Sequence, residues 1–127
     1  MNKRIIKTDK APAAIGPYSQ AVMVDGWLFL SGQIPINPAT NQVVENNITK
    51  QSEQVLSNIK AVIESVGGTL DNIIKATVYL KDLADFAAMN EVYQKYFTKD
   101  YPARSTVQVA KLPKDVMVEI DVIAVLK

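Results

Sequence analysis

The chain contains no cysteine and no histidine. Without cysteine it can form neither a disulfide nor a cysteine-ligated metal site. Without histidine it cannot assemble a Ser-His-Asp or Cys-His arrangement. Proton transfer therefore falls to Glu, Asp, Lys, Tyr, Ser or water, and the reaction expected of such a chain is one that needs modest help. Excess charge is also lacking: 14 Lys and Arg face 13 Asp and Glu, for a net charge of +1. Nucleic-acid binders usually carry a basic stripe, so no nucleic-acid partner is expected. No apolar run approaches membrane-spanning length, and the opening MNKRIIKTDK is charged where a signal peptide would be apolar. A cytoplasmic protein with no membrane partner is the expectation. There is no strong internal repeat, low-complexity tract or linker, which points to a single domain over residues 1–127.

What is present suits a folded chain. Hydrophobic residues make up 48% and charged residues 21% of 127 positions, ordinary values for a soluble domain. A chain of this size buries roughly two-thirds of its unfolded surface, enough for one core.

Residues 3–8 read as a short strand. Residues 11–17 are irregular, broken by Pro12 and Gly16-Pro17. Residues 20–24 and 27–31 read as a hairpin across Asp25-Gly26. Residues 34–42, IPINPATNQ, read as loop. The period then changes: Val55, Leu56, Ile59, Val62, Ile63 and Val66 lie at helical spacing, with Lys50, Glu53, Asn58 and Lys60 placed elsewhere around the helix. Asn47 is a candidate N-cap and Gly67-Gly68 a C-terminal stop, giving a helix over about residues 48–66. In IIKATVYL, Ile74, Ala76, Val78 and Leu80 share one strand face and Ile73, Lys75, Thr77 and Tyr79 the other. A second helix over about 85–97 carries Phe86, Met89, Tyr93, Tyr96 and Phe97, capped by Asp82 or Asp85. Two strands, about 104–110 and 116–126, follow, joined by a Leu-Pro-Lys-Asp loop.

The order β-β-β-α-β-α-β-β implies an α+β sandwich with both helices on one face of the sheet. In the last strand Val116, Val118, Ile120, Val122, Ala124 and Leu126 form one apolar face. The opposite face has Met117, Glu119, Asp121, Ile123 and Val125, and Tyr79, Trp27 and Phe29 add to the apolar surface there. Two helices cover only one side, so the second side is either solvated or covered by self-association, most often symmetric.

Arg104 opens one of the late strands. By default such an arginine is a solvated surface residue; as chemistry it is a carboxylate clamp, because guanidinium offers two parallel donors. Glu119 is by default an exposed strand residue or a partner for a lysine. On a half-buried face it can instead position a water and shuttle its proton, with a pKa raised by desolvation. Asp121 points to the same face, and the sequence does not rank the two. In GPYS (16–19) and LSGQIP (30–35), the glycines are turn makers or places where a ligand meets a backbone N–H. Tyr18 and Ser31 either pack or offer hydroxyls.

Taken together, APAAIGPYSQA (11–21), SGQIPINP (31–38), NIKAVIESVG (58–67), ATVYLKDLADFAAMNEVY (76–93) and YPARSTVQVAKLPKDVMVEIDVIAV (101–125) resemble the reactive-intermediate deaminase family, also called Rid or YjgF, nearly end to end. The resemblance is closest to the branch that hydrolyses 2-imino acids. It implies a chorismate-mutase-like α+β fold with a mixed sheet of about six strands. It also implies a homotrimer with a central barrel and ligand clefts between subunits. The implied activity is hydrolysis of 2-iminobutanoate and 2-iminopropanoate to 2-keto acids and ammonia, with no cofactor and no metal. The alternative is a regulatory module that binds a small carboxylate or keto acid without turnover. By the same resemblance Arg104 grips the substrate carboxylate and Glu119 holds the attacking water. Gly32 supplies a backbone N–H, and Tyr18, Ser31, Asn90 and Thr106 line the pocket. Thr106 stands where many members have cysteine; a backbone carbonyl contact there survives, thiol chemistry does not.

Overall fold

The computed structural model describes residues 1–126. Strands β1 (Arg4–Ile6), β2 (Ala21–Val24) and β3 (Trp27–Leu30) form an antiparallel meander. A small ribbon of β4 (Ile36–Asn37) and β5 (Gln42–Val43) follows. Then come α1 (Ile48–Glu64), β6 (Ile73–Leu80), α2 (Phe86–Tyr96), β7 (Ala103–Gln108) and β8 (Val118–Val125). The main sheet has six strands in the order β1-β2-β3-β8-β6-β7. Only β6 and β7 run parallel. Parallel neighbours need a crossover, and α2 supplies it. Strand β8 lies antiparallel to both β3 and β6 and fills the gap left by the β3–α1–β6 crossover.

Local chemistry sets the boundaries. Asp25 and Gly26 take φ of 49° and 83°, the two positive values that a two-residue hairpin turn requires. Asn47 Oδ1 accepts the Lys50 N–H at 3.0 Å and starts α1. Past its other end Gly67 takes φ +84°. Asp82 caps the short 3-10 turn Leu83–Asp85 that leads into α2, its Oδ1 accepting the Ala84 N–H at 2.9 Å. Asp85 holds the N-cap position of α2 without a side-chain bond.

The core lies between the sheet and the two helices. Val55, Leu56, Ile59, Val62 and Ile63 of α1 and Met89, Val92 and Tyr93 of α2 bury against Val78, Leu80, Val118, Ile120, Val122 and Ala124. The expected six-stranded α+β arrangement with both helices on one face is the observed one. No helix among the described residues is long and apolar enough to cross a membrane.

Three local readings are corrected, and one strand pairing that the sequence left open is decided. Residues 34–42 are not all loop: the β4–β5 ribbon forms there, turned by Asn37 Oδ1, which accepts the Ala39 N–H at 2.9 Å. In β6 the alternation breaks at a bulge, where Ile73 pairs with Ala124 and Lys75 with Ile123. Ile73 is therefore buried and Ile74 is exposed, the reverse of strict alternation. Asn58 is buried instead of facing away from the core, because its side chain satisfies loop carbonyls. Finally, β7 and β8 follow one another in sequence but are not neighbours, since β6 lies between them.

Candidate functional site

Arg104 sits at the start of edge strand β7 with Ala76 as its register partner on β6. Ala76 points into the core, so Arg104 rises on the helix-covered face, beside α2. Its Nη1 donates to Asn90 Oδ1 at 2.8 Å. Its guanidinium carbon stands 4.7 Å from the centre of the Tyr93 ring and 5.6 Å from that of Phe86, within cation–π reach. Tyr93 is buried, and burial raises its hydroxyl pKa against the opposing influence of Arg104. A depression of ≈330 Å³ opens here, lined by Asn90, Tyr93, Gln94, Tyr101, Pro102 and Arg104. Thr106, two residues on, faces the same side, and its buried hydroxyl has no partner among the described residues.

Glu119 stands on the other face of the sheet, opposite Tyr79 in the β6–β8 register. It is half-buried, and the ion pair recorded among the described residues is Lys81 with Asp115, so Glu119 is not a lysine's partner. Desolvation, then the negative charge of Asp121, raises its pKa above the ordinary carboxyl value. Asp121 itself accepts the Tyr79 hydroxyl at 3.0 Å. Gly32 reaches Glu119 through a two-way bridge: the Gln33 N–H donates to Ile120 O at 2.8 Å and the Ile120 N–H to Gln33 O at 3.1 Å. This bridge sets their neighbours Gly32 and Glu119 side by side. A β-carbon on residue 32 would run into the carboxyl group, whose carbon would lie 2.9 Å away. The Ser31 and Gln33 N–H groups are bonded, while that of Gly32 meets no acceptor among the described residues. Ser31 Oγ donates to Ser19 O at 2.6 Å, tying the GPYS segment to this end of β3. Tyr18 is 54% exposed and is therefore no core plug. Its hydroxyl accepts the Ile15 N–H at 3.4 Å, and it borders a hollow of ≈640 Å³ beneath residues 5–20.

The seven sequence candidates thus fall into two groups. Arg104, Asn90 and Thr106 lie on the helix side; Gly32 and Glu119 lie on the open side, with Ser31 and Tyr18 attached through the Ser19 link. Within one chain the guanidinium and the carboxyl group do not share a cleft. Sequence reasoning placed Phe86 and Tyr93 in an apolar stripe and missed their seat around Arg104. The signal was available in the i, i+4, i+7 spacing of Phe86, Asn90 and Tyr93.

The family described as Endoribonuclease L-PSP matches residues 8–126. The chain is 50% identical over 123 residues to the 2-iminobutanoate/2-iminopropanoate deaminase of Capra hircus, covering 97% of this chain and 90% of that protein. It is similar to the structure of YyfA, of the conserved Rid protein family, from Yersinia pestis: TM-score 0.97, 50% identity, 98% of this chain and 100% of that one. It is also similar to E. coli TdcF with bound serine: TM-score 0.93, 46% identity, 98% and 99% covered. The Rid/YjgF resemblance and the chorismate-mutase-like fold expected from the sequence are both borne out.

Proposed function

The chain belongs to the Endoribonuclease L-PSP family, and from that premise we propose that it hydrolyses small 2-imino acids, such as 2-iminobutanoate and 2-iminopropanoate, to 2-keto acids and ammonia. The observation that carries this reading is the Glu119 carboxyl lodged against Gly32. It is half-buried, raised in pKa, and next to an open backbone N–H. A carboxyl shifted toward the working pH serves well as both proton acceptor and proton donor. The 50% identical deaminase of Capra hircus supports the same chemistry.

The two groups of side chains act together across copies of the chain. The sheet face that carries Glu119 also exposes Ile5, Trp27 and Phe29, an apolar surface suited to self-association. A homotrimer, as the resemblance implies, sets Arg104 of one copy against Glu119 of the next. Arg104 holds the substrate carboxylate through two parallel donors. Glu119 takes a proton from water as the water oxygen bonds to the imine carbon, giving a carbinolamine. Glu119 returns its proton to the carbinolamine nitrogen. The C–N bond then breaks as the C=O bond forms, the hydroxyl proton passes to the Glu119 carboxylate and from there to solvent, and ammonia is released. A protonated imine is already electrophilic, so aiming the water and handling its protons suffice without histidine.

The test couples a pyridoxal-phosphate-dependent threonine dehydratase, which supplies the imine, to the purified protein and follows imine decay. Arg104→Ala is expected to lose roughly 3–5 kcal/mol of binding to the desolvated carboxylate, about two to three and a half decades in kcat/KM. The fold and assembly should persist. Near-normal turnover by that variant overturns the clamp.

A second reading, a sensor of small carboxylates without turnover, is favoured by the serine bound to the similar TdcF. Binding without acceleration of imine decay would select it. The ribonuclease activity in the family's description finds no histidine pair in this chain and a net charge of only +1.

A further inference from the structure

We infer that Phe86, Asn90 and Tyr93 form a cradle that fixes the plane of the Arg104 guanidinium and aims its free N–H groups at the substrate carboxylate. The inference rests on the reading of Arg104 given above. It makes Asn90 an anchor for the arginine instead of a contact for the substrate, and it makes both aromatic residues positioning residues.

The three side chains sit at i, i+4 and i+7 of α2 and so occupy one stripe of the helix. Strand β7 begins beside that stripe and sends Arg104 across it. Arginine has five N–H donors in a rigid fork. One end is engaged, Nη1 donating to Asn90 Oδ1 at 2.8 Å. Ring faces hold the flat group at 4.7 Å and 5.6 Å, inside the ~6 Å range of cation–π attraction. The nearer ring is itself fixed: Tyr93 is 4% exposed and packs on Phe97 with ring centres 4.5 Å apart. Its buried hydroxyl meets no hydrogen-bond partner among the described residues. Tyr93 offers Arg104 its π face, and its hydroxyl oxygen, although outside hydrogen-bonding geometry, feels the cation as an opposing influence on its raised pKa.

An unrestrained arginine loses rotamer freedom when it grips a ligand, whereas one already held loses little. The benefit applies equally to bound substrate and transition state, so it belongs in KM and not in kcat. Removing either ring while keeping an apolar side chain isolates the effect. For Phe86→Leu and Tyr93→Leu, KM for the imine should rise roughly three- to thirtyfold. The kcat and the pH profile should hold, and Tyr93→Phe should recover the KM.

A second readout does not depend on turnover. The Arg104 Nε–H resonance should be shifted by the rings in the unaltered protein and should move toward the free-arginine position in both Leu variants. Tyr93 lies in the core, so Phe86→Leu, the more exposed site, carries the test if Tyr93→Leu fails to fold. A folded Leu variant with unchanged KM and an unmoved resonance overturns the cradle. If the unaltered protein hydrolyses no imine, the resonance alone decides the cradle, and it is the deaminase reading that falls.

Discussion

Glu119 and Asp121 stand two residues apart on the same strand face, and their surroundings separate them. Asp121 accepts the Tyr79 hydroxyl. Glu119 meets no side-chain donor among the described residues and lies beside that negative charge, so burial and repulsion both favour its protonated form. The folded chain then holds this proton more tightly than the unfolded chain does. Stability contributed by Glu119 falls as pH rises from the ordinary carboxyl range through the raised folded value. Glu119→Gln cannot ionise and escapes that loss. Its Tm should match the unaltered protein in acid, below the ordinary carboxyl range, and exceed it at neutral pH. Imine hydrolysis should drop roughly a hundredfold or more. Melting curves across pH check the sign: an equal Tm gain at acid and neutral pH would sink the assignment.

Helix α1 does more than cover the sheet. Through Asn58 it fixes the segment that delivers Gly32. Asn58 Nδ2 donates to Ile36 O at 3.0 Å and to Ile34 O at 3.3 Å, and Gln54 Nε2 steadies it by donating to Asn58 Oδ1 at 2.8 Å. Gln51, about two turns earlier on the helix, does similar work at the start of β8, its Oε1 accepting the Met117 N–H at 2.8 Å. Asn58→Leu fits the apolar surroundings and leaves both carbonyls without their donor. It should cost about 1–3 kcal/mol of stability, read as a lower midpoint in denaturant. Hydrogen exchange at Gln33 and Ile36 should speed up, and imine hydrolysis should fall as Gly32 loosens. A stable variant with unchanged exchange at those amides would remove α1 from the role.

At the scale of the whole molecule, the uncovered sheet face is the dominant feature. Trp27 and Phe29 stack with ring centres 6.5 Å apart and remain 42% and 45% exposed. On the proposed reading, self-association that covers them also supplies each cleft with groups from two copies. The consequence is complementation. Arg104→Ala and Glu119→Gln chains should each keep about a hundredth of the activity or less alone. After unfolding together and refolding as mixed assemblies, some clefts draw an intact arginine from one copy and an intact glutamate from its neighbour. Equal mixing in a ring should restore roughly a quarter of the sites. Activity that never returns, with mixed assemblies demonstrated by mass spectrometry, would mean that the two residues do not share a cleft across copies.

The sequence alone determined what depends on neighbours along the chain. The period of α1, its Asn47 cap, the Asp25-Gly26 hairpin and the apolar face of β8 all read correctly, because each rests on local geometry and side-chain spacing. The motifs from GPYS to PARS and VEI carried the family in the same way. Only the tertiary structure decided the rest. It inserted β8 between β3 and β6, broke the alternation of β6 at Ile73–Lys75, buried Asn58 and placed Arg104 and Glu119 on opposite faces. Each of these follows from which distant segments bury one another's apolar surface and satisfy one another's backbone groups, a choice made between elements far apart in the chain and invisible to any local pattern.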